Sequence, residues 1–450
     1  MNSNPDAGAL YARPSSDEAA DSLPLQALKG LDRTLRSQLL RRLADLRECE
    51  IVIEDAEGTI TLGNPVQGRE TLRCRVRVQD PAFYRMAAGH GSVGAGESYM
   101  EGHWQCDDLV VLVRVLVINR ELLDAMEGGF ARFGGLLLRA WHLLQRNTRT
   151  GSRRNISAHY DLGNELFKLF LCESMMYSSA VFADPGETLE SASTRKLDRI
   201  CQKLDLKPGQ RVVEIGTGWG GFAIHAARHY GVQVTTTTLS KEQRDLAIAR
   251  IEEAGLSDRI EVLLSDYRDL SGTYDRLVSI EMIEAIGHQY LDTYFAKVRS
   301  LLKDDGIALI QAITIEDHRY TKALKAVDFI KRFIFPGSFI PSVSAMQSSV
   351  GRVTDLKLYN LEDIGPSYAL TLRHWRERFM ARLDRVRALG YPERFIRMWE
   401  FYLCYCEGGF IERSIGNVQL LLTAPRCRRS ELLQALQAGS STVSSVAPKQ

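Results

Sequence analysis

The spacing of apolar side chains changes character twice along the chain. Leu28 to Arg47 repeats leucine at helical intervals with arginine and aspartate between them, which predicts an amphipathic helix. Glu50-Ile-Val-Ile-Glu54, Thr59-Ile-Thr-Leu62 and Leu72-Arg-Cys-Arg-Val-Arg-Val78 alternate polar with apolar residues, the period of half-buried strands. Leu109 to Leu144 returns to helical spacing, so residues 23–144 predict a small α+β domain. From Lys196 onward the two patterns alternate. Strands are predicted at Arg211–Ile215, Val232–Leu239, Ile260–Leu264, Tyr274–Ile280 and Gly306–Ile315, with a closing strand at Gln419–Thr423. Helices are predicted between them at Gly221–Tyr230, Lys241–Ala254 and Tyr290–Leu302. Such alternation specifies an α/β domain, a doubly wound, mostly parallel sheet over residues 159–430, with its ligand above the carboxyl ends of the strands.

Composition adds boundaries. Residues 1–22 and Gly439–Gln450 are rich in small and polar residues and are expected to be disordered tails. The chain is 45% hydrophobic and 25% charged, which excludes a fibrous or mainly disordered protein. Its net charge of +1 gives no global attraction to nucleic acid. Eight cysteines without a CxxC pair argue against a zinc site or a disulfide framework, and so for a reducing compartment. The N-terminus lacks the apolar core of a secretory signal, and the most apolar run, Leu109 to Asn119, contains Arg114 and falls short of the roughly 18–20 residues of a span. A cytoplasmic protein is expected, with peripheral contact at the inner face of the membrane left open. Gln145 to Asn155 carries four arginines and no acid. It is either a solvated linker, placed at 145–158, or a segment that seeks lipid phosphates.

The chemistry begins at Glu214-Ile-Gly216-Thr-Gly218-Trp-Gly220-Gly221, between the first predicted strand and helix of the α/β domain. Gly216, Gly218 and Gly221 satisfy GxGxxG, a pattern that dinucleotide enzymes share. A nicotinamide site wants an acid at the end of the second strand, and Val234 to Ser240 offers none. Glu214 would instead repel a pyrophosphate and attract a ligand with an ammonium and a sulfonium. S-adenosylmethionine is such a ligand. Gly216, Gly218 and Gly220 would admit its amino-acid part. Thr238, Leu239 and Gln243 would lie by the ribose, and Asp266 and Tyr267 by the adenine.

Further motifs carry a resemblance. Gly94-Ala-Gly-Glu-Ser-Tyr-Met-Glu-Gly-His-Trp-Gln-Cys-Asp-Asp108, His159-Tyr-Asp-Leu-Gly-Asn164, Met176-Tyr-Ser-Ser-Ala180, Lys207-Pro-Gly209, Asp266-Tyr-Arg-Asp-Leu270, Glu281-Met-Ile-Glu284, Phe333-Ile-Phe-Pro-Gly337 and Tyr402–Phe410 follow in order. With them, residues 76–425 resemble the cyclopropane-fatty-acyl-phospholipid synthase family, which implies a Rossmann-like methyltransferase sheet and a helical lipid-binding insertion. The resemblance implies that an unsaturated phospholipid acyl chain receives the methyl group, and that a proton is then lost so that a ring closes. It places Tyr160, Tyr177 and Ser178 in a segment that closes over the donor.

The family's base is a bound bicarbonate. By resemblance Glu284, Ile313 and Tyr368 belong to its seat, and Cys406 is an active-site cysteine. Ser179 and Gln311 depart, standing where the best-known members have cysteine and histidine. These departures leave open a methylene- or methyl-branched product. Phe333, Phe335, Phe339, Tyr368, Trp375 and Tyr405 are candidates to face a carbocation. Ala326 to Pro341 reads as an amphipathic cap over the acyl pocket, with Lys331 and Arg332 for lipid phosphates. Dimerisation and membrane engagement are the roles open to the N-terminal domain. Two other readings are a methyltransferase of a soluble small molecule and a lipid-binding protein with a degenerate donor site.

Overall fold

A computed structural model describes residues 25–126 and 163–429. The predicted tails, the connector 145–158 and Tyr160 lie outside the described residues.

The N-terminal part is α+β. Strands β1 (Cys49–Asp55), β2 (Gly58–Leu62), β3 (Leu72–Val78) and β4 (Trp104–Cys106) form a sheet ordered β2-β1-β3-β4. In β3, Leu72, Cys74, Val76 and Val78 are buried while Arg73 and Arg75 face water, the period-two pattern seen in the sequence. The predicted first helix is shorter than its leucine pattern, Gly30–Leu43. A helix not foreseen, Ala82–Met100, kinks at Gly91, whose φ of +58° is open to glycine. The apolar run forms two helices, Leu109–Ile118 and Arg120–Met126.

The second part is the doubly wound sheet. Its strands are β5 (Arg211–Ile215), β6 (Gln233–Thr238), β7 (Ile260–Leu264), β8 (Tyr274–Ile280), β9 (Leu302–Ile315), β10 (Lys357–Asp363) and β11 (Ile415–Thr423). They are ordered β10-β11-β9-β8-β5-β6-β7. β5 to β9 run parallel, whereas β11 is antiparallel to both neighbours. The chain leaves β5 towards β6 and β7, then returns to β8 on the other side. The switch point is therefore between β5 and β8, and a crevice opens at their carboxyl ends.

The two parts share one apolar core that runs from Leu28 through Phe401 to Phe410. The helix Leu109–Ile118 lies close against the helix Glu393–Ile411, and a Cβ at Gly408 would stand 2.7 Å from Val113 Cγ1. At the same contact Arg114 donates to Glu412 at 2.6 Å and to Glu70 at 3.0 Å. Among the described residues no helix is long and apolar enough to cross a membrane.

Candidate active site

The glycine turn leaves β5 as expected. Gly216, Gly218 and Gly220 have φ of +103°, +51° and +83°, which brings the backbone into a cradle with no Cβ projecting into it. A Cβ at Gly218 would meet nothing within 4 Å, so the turn faces open space there. Arg250 fastens the loop before residue 176 to this turn by bonding Ser174 O, Glu173 O and Trp219 O. Trp219 Nε1 donates to Asn164 Oδ1 at 2.7 Å, which ties the end of the predicted closing segment to the same turn. Thr238 donates to Gln243 Oε1 at 2.9 Å, and Ser240 caps the following helix beside Leu239. Asp266 is clasped by Arg268 at 2.8 and 2.7 Å, and the Tyr267 ring stands beside it at the end of β7. The positions expected around an amino acid, a ribose and an adenine thus line up along the carboxyl ends of β5, β6 and β7. This arrangement fits S-adenosylmethionine.

Glu214 is 2% exposed. Burial pushes its carboxyl up to about 8, opposed by the Thr236 hydroxyl at 2.7 Å and by the charge of buried Lys196. Lys196 donates to Ser178 Oγ at 2.9 Å, and burial lowers its ammonium to about 8 against the charge of Glu281. A cationic ligand favours the ionised form of Glu214, so its proton must leave on binding. Donor affinity is therefore expected to rise with pH, by at most about tenfold per unit, and to level off above about 8. Calorimetry in buffers of different ionisation enthalpy would show the released proton. In Glu214→Gln both the slope and the release should vanish; their persistence would assign them to another group.

The carboxyl end of β8 holds two glutamates. Glu281 follows the strand directly, with φ of +51°. That conformation costs a non-glycine residue about 1–3 kcal/mol and marks sites whose surroundings hold it in place. Its Oε1 accepts from Ser179 N at 3.0 Å, Gln311 Nε2 at 2.8 Å and Asn417 Nδ2 at 2.5 Å. Its Oε2 accepts from the Tyr368 hydroxyl at 2.7 Å. Glu284, on the next turn, accepts from Ile313 N at 2.5 Å through Oε1, and its buried Oε2 has no partner among the described residues. Burial, then the charge of Glu281, pushes Glu284 up to about 8.

The sheet aims the donors. Gln311 on β9 is in register with Gln419 on β11. Lys203 can only donate, and it donates to Gln419 Oε1 at 2.8 Å. Gln419 must then turn its amide nitrogen to Gln311 Oε1, at 3.0 Å, which leaves the Gln311 nitrogen for Glu281. Glu362 holds Lys203 from the far side at 2.5 Å.

The structure therefore brings Ser179, Gln311 and Tyr368 together, but around Glu281 rather than around vacant space. The Ser179 contact is made by its backbone N–H, which any residue supplies, while its hydroxyl donates to Ala180 O. Donors of the expected seat are thus taken by side chains of this chain, and a free anion would meet Glu281 and Glu284. The residues do not fit bicarbonate.

A cavity of about 800 Å³ runs from these glutamates into the N-terminal part. Glu281, Glu284, Tyr177, Tyr368 and Cys406 line one part of it, and Leu35, Leu39, Ile53, Phe83 and Leu116 line another. Phe335, Phe339, Ile313 and Tyr405 also face it, whereas Trp375 and Phe333 pack in the core. Tyr177 and Tyr402 share a hydroxyl contact at 2.8 Å. Burial holds the Cys406 thiol far above its usual range, so it stays neutral. Lys331, read from the sequence as a partner for lipid phosphates, is buried and donates to Ala323 O and Ala326 O at the end of a helix. Sequence reasoning missed the roles of Glu281, Asn417 and Lys196.

Comparison with known proteins agrees with this geometry. The family model described as mycolic acid cyclopropane synthetase matches residues 147–420. The chain belongs to that family. It is 39% identical over 350 residues to the cyclopropane-fatty-acyl-phospholipid synthase of Escherichia coli K12, covering 77% of this chain and 87% of the relative. It is 38% identical over 410 residues to the tuberculostearic acid methyltransferase UfaA1 of Mycobacterium tuberculosis, covering 87% and 91%. Among solved structures, the mycolic acid cyclopropane synthase CmaA1, complexed with SAH and CTAB, superposes with a TM-score of 0.57 at 30% identity. It covers 60% of this chain and 98% of that one. The resemblance and the Rossmann-like sheet expected from sequence are thereby established. The protein is an S-adenosylmethionine-dependent methyltransferase of the cyclopropane-synthase type, and its family's chemistry is methyl transfer to lipid acyl chains.

Proposed function

We propose that the protein methylates the double bond of an unsaturated phospholipid acyl chain and that loss of a proton then closes a cyclopropane. The cavity carries this reading. It is of ligand size, mainly apolar, and carries Glu281, Glu284 and Tyr368 together on its wall. When bound, S-adenosylmethionine supplies the electrophilic methyl group. The chain's own residues hold the alkene near it, and apolar walls exclude the water that would quench a cation. The Tyr368 ring, stacked on Phe410 at 4.4 Å, offers a face to positive charge. Exposed Arg42 and Lys322 also line the cavity, where cationic side chains suit a lipid phosphate at a membrane surface. A small soluble acceptor would leave most of this volume unused.

A second reading, a methylene- or methyl-branched product, is favoured by the match to the tuberculostearic acid methyltransferase, which extends over more of both chains. One experiment separates the products. Cells expressing the protein are fed methionine with a deuterated methyl group, and their fatty acids are analysed by mass spectrometry. A cyclopropane or methylene product gains CD2, and gas chromatography distinguishes the two; a methyl branch that keeps all its deuterium gains CD3. Unlabelled lipid, from cells whose protein binds the donor, would refute the lipid substrate.

A further inference from the structure

We infer that Glu281 is the protein's own proton acceptor, a tethered carboxylate in place of a diffusible anion. The inference rests on the proposed methylation of an alkene and deepens it. Four donors from four separate segments converge on this side chain, and it donates to none of them, the pattern of a carboxylate. Three of the four meet at Oε1. Among the described residues Oε2 accepts from Tyr368 alone, so it keeps a lone pair for a further proton. The carboxylate lines the acyl cavity. The series from Lys203 through Gln419 to Gln311 fixes the direction of the central donor. Glu281 also stands at a left-handed φ of +51°, where glycine would sit without strain. A residue kept there only for packing would have no reason to meet four polar groups.

The step balances as follows. The alkene π pair forms the new carbon–methyl bond as the donor's methyl–sulfur bond breaks, which leaves a cation on the adjacent carbon. A C–H bond of the new methyl then breaks. Its electron pair closes the ring, and its proton passes to Glu281 Oε2.

Full-length wild type, Glu281→Gly and Glu281→Gln would be compared on vesicles of dioleoylphosphatidylglycerol in buffer stripped of carbon dioxide, with and without added bicarbonate or formate. Wild type should turn over equally well in every buffer. Glu281→Gln should lose at least about 100-fold. Glu281→Gly relieves backbone strain and so should fold. It should be as inactive in stripped buffer and recover at least about tenfold with either anion, because the four donors are then vacant. A wild-type rate that falls on stripping and returns with bicarbonate would overturn the inference, as would a fully active Glu281→Gln. Line broadening of ¹³C-bicarbonate gives a readout independent of the lipid. Broadening by the glycine variant alone supports the seat; broadening by wild type, or by neither protein, refutes it. If no protein methylates the vesicles while the glycine variant alone binds bicarbonate, the lipid reading fails and the anion seat stands.

Discussion

Gly218→Val should weaken donor binding by at least about 100-fold, equivalent to about 2.7 kcal/mol. Two effects combine. Valine at φ of +51° is strained, since a β-branched side chain rarely adopts the left-handed region. More decisively, the open space in front of Gly218 is where the amino-acid part of the donor is expected to lie, and the valine side chain would fill it. Strain alone lowers stability without touching the site, so a control is needed. Gly255 supplies it: its φ is +67°, a Cβ there also meets nothing within 4 Å, and it precedes the amino end of β7, away from the crevice. Gly255→Val should lower Tm about as much as Gly218→Val and leave donor affinity unchanged. Equal loss of affinity in both variants would mean that the turn acts through stability; wild-type affinity in Gly218→Val would mean that the donor lies elsewhere. Calorimetric titration with S-adenosylhomocysteine decides between these outcomes.

Much of the scaffold was legible because it rests on local patterns. Val212, Val213 and Ile215 in β5 and Leu277 and Val278 in β8 group buried apolar residues, and β3 alternates cleanly, so their positions follow from side-chain pattern. The helix Ala82–Met100 was hidden because Gly89, Gly91, Gly94 and Gly96 weaken its helical propensity. Tertiary contact overrides that weakness: a Cβ at Gly96 would stand 2.5 Å from the Phe329 ring. The edge strand β10 was missed because Lys357, Leu358, Tyr359, Leu361 and Asp363 are all exposed, leaving no buried period. At the site, the glycine turn and Glu284 could be read from their neighbours in the chain. Glu281 could not. Its partners Ser179, Gln311 and Asn417 are 102, 30 and 136 residues away; the register of β8, β9 and β11 brings Gln311 and Asn417 to it, and tertiary packing brings the segment of Ser179. The motif Glu281-Met-Ile-Glu284 offers two carboxylates at helical spacing and gives no local sign of which one the donors surround. One signal was present in retrospect. Gln311, where a histidine was expected, cannot carry a positive charge, and a neutral donor suffices when the anion is covalently held.

Glu284→Gln should lower kcat by at least about 100-fold and leave the donor Kd within about twofold. The substitution keeps the size of the side chain and an oxygen to accept from Ile313 N, so what it removes is the capacity to ionise. Glu281 and Glu284 are neighbouring carboxyl groups in opposite surroundings. The first is ringed by donors, while the second is dehydrated, faces the first and has an Oε2 unpartnered among the described residues. In the resting protein at neutral pH, Glu284 therefore keeps its proton, held up to about 8 by burial and by the charge of Glu281. A cation forming on the acyl chain reverses that balance, because a second negative charge in the dry cavity then stabilises it. The ionised form is the active one, so wild-type kcat/KM should rise as pH approaches about 8 and level off above it, while Glu284→Gln should show no such limb. Stability should move the other way. A carboxyl raised from 4.5 to about 8 contributes stability fully below the lower value, and this is lost progressively as pH rises through the upper one. Glu284→Gln carries no such liability. Its Tm relative to wild type should climb between those limits, so the variant would gain stability as it loses turnover. A purely structural Glu284 predicts the reverse, a variant that is less stable across the range with kcat close to wild type, and thermal melts beside the rate profile would show which holds.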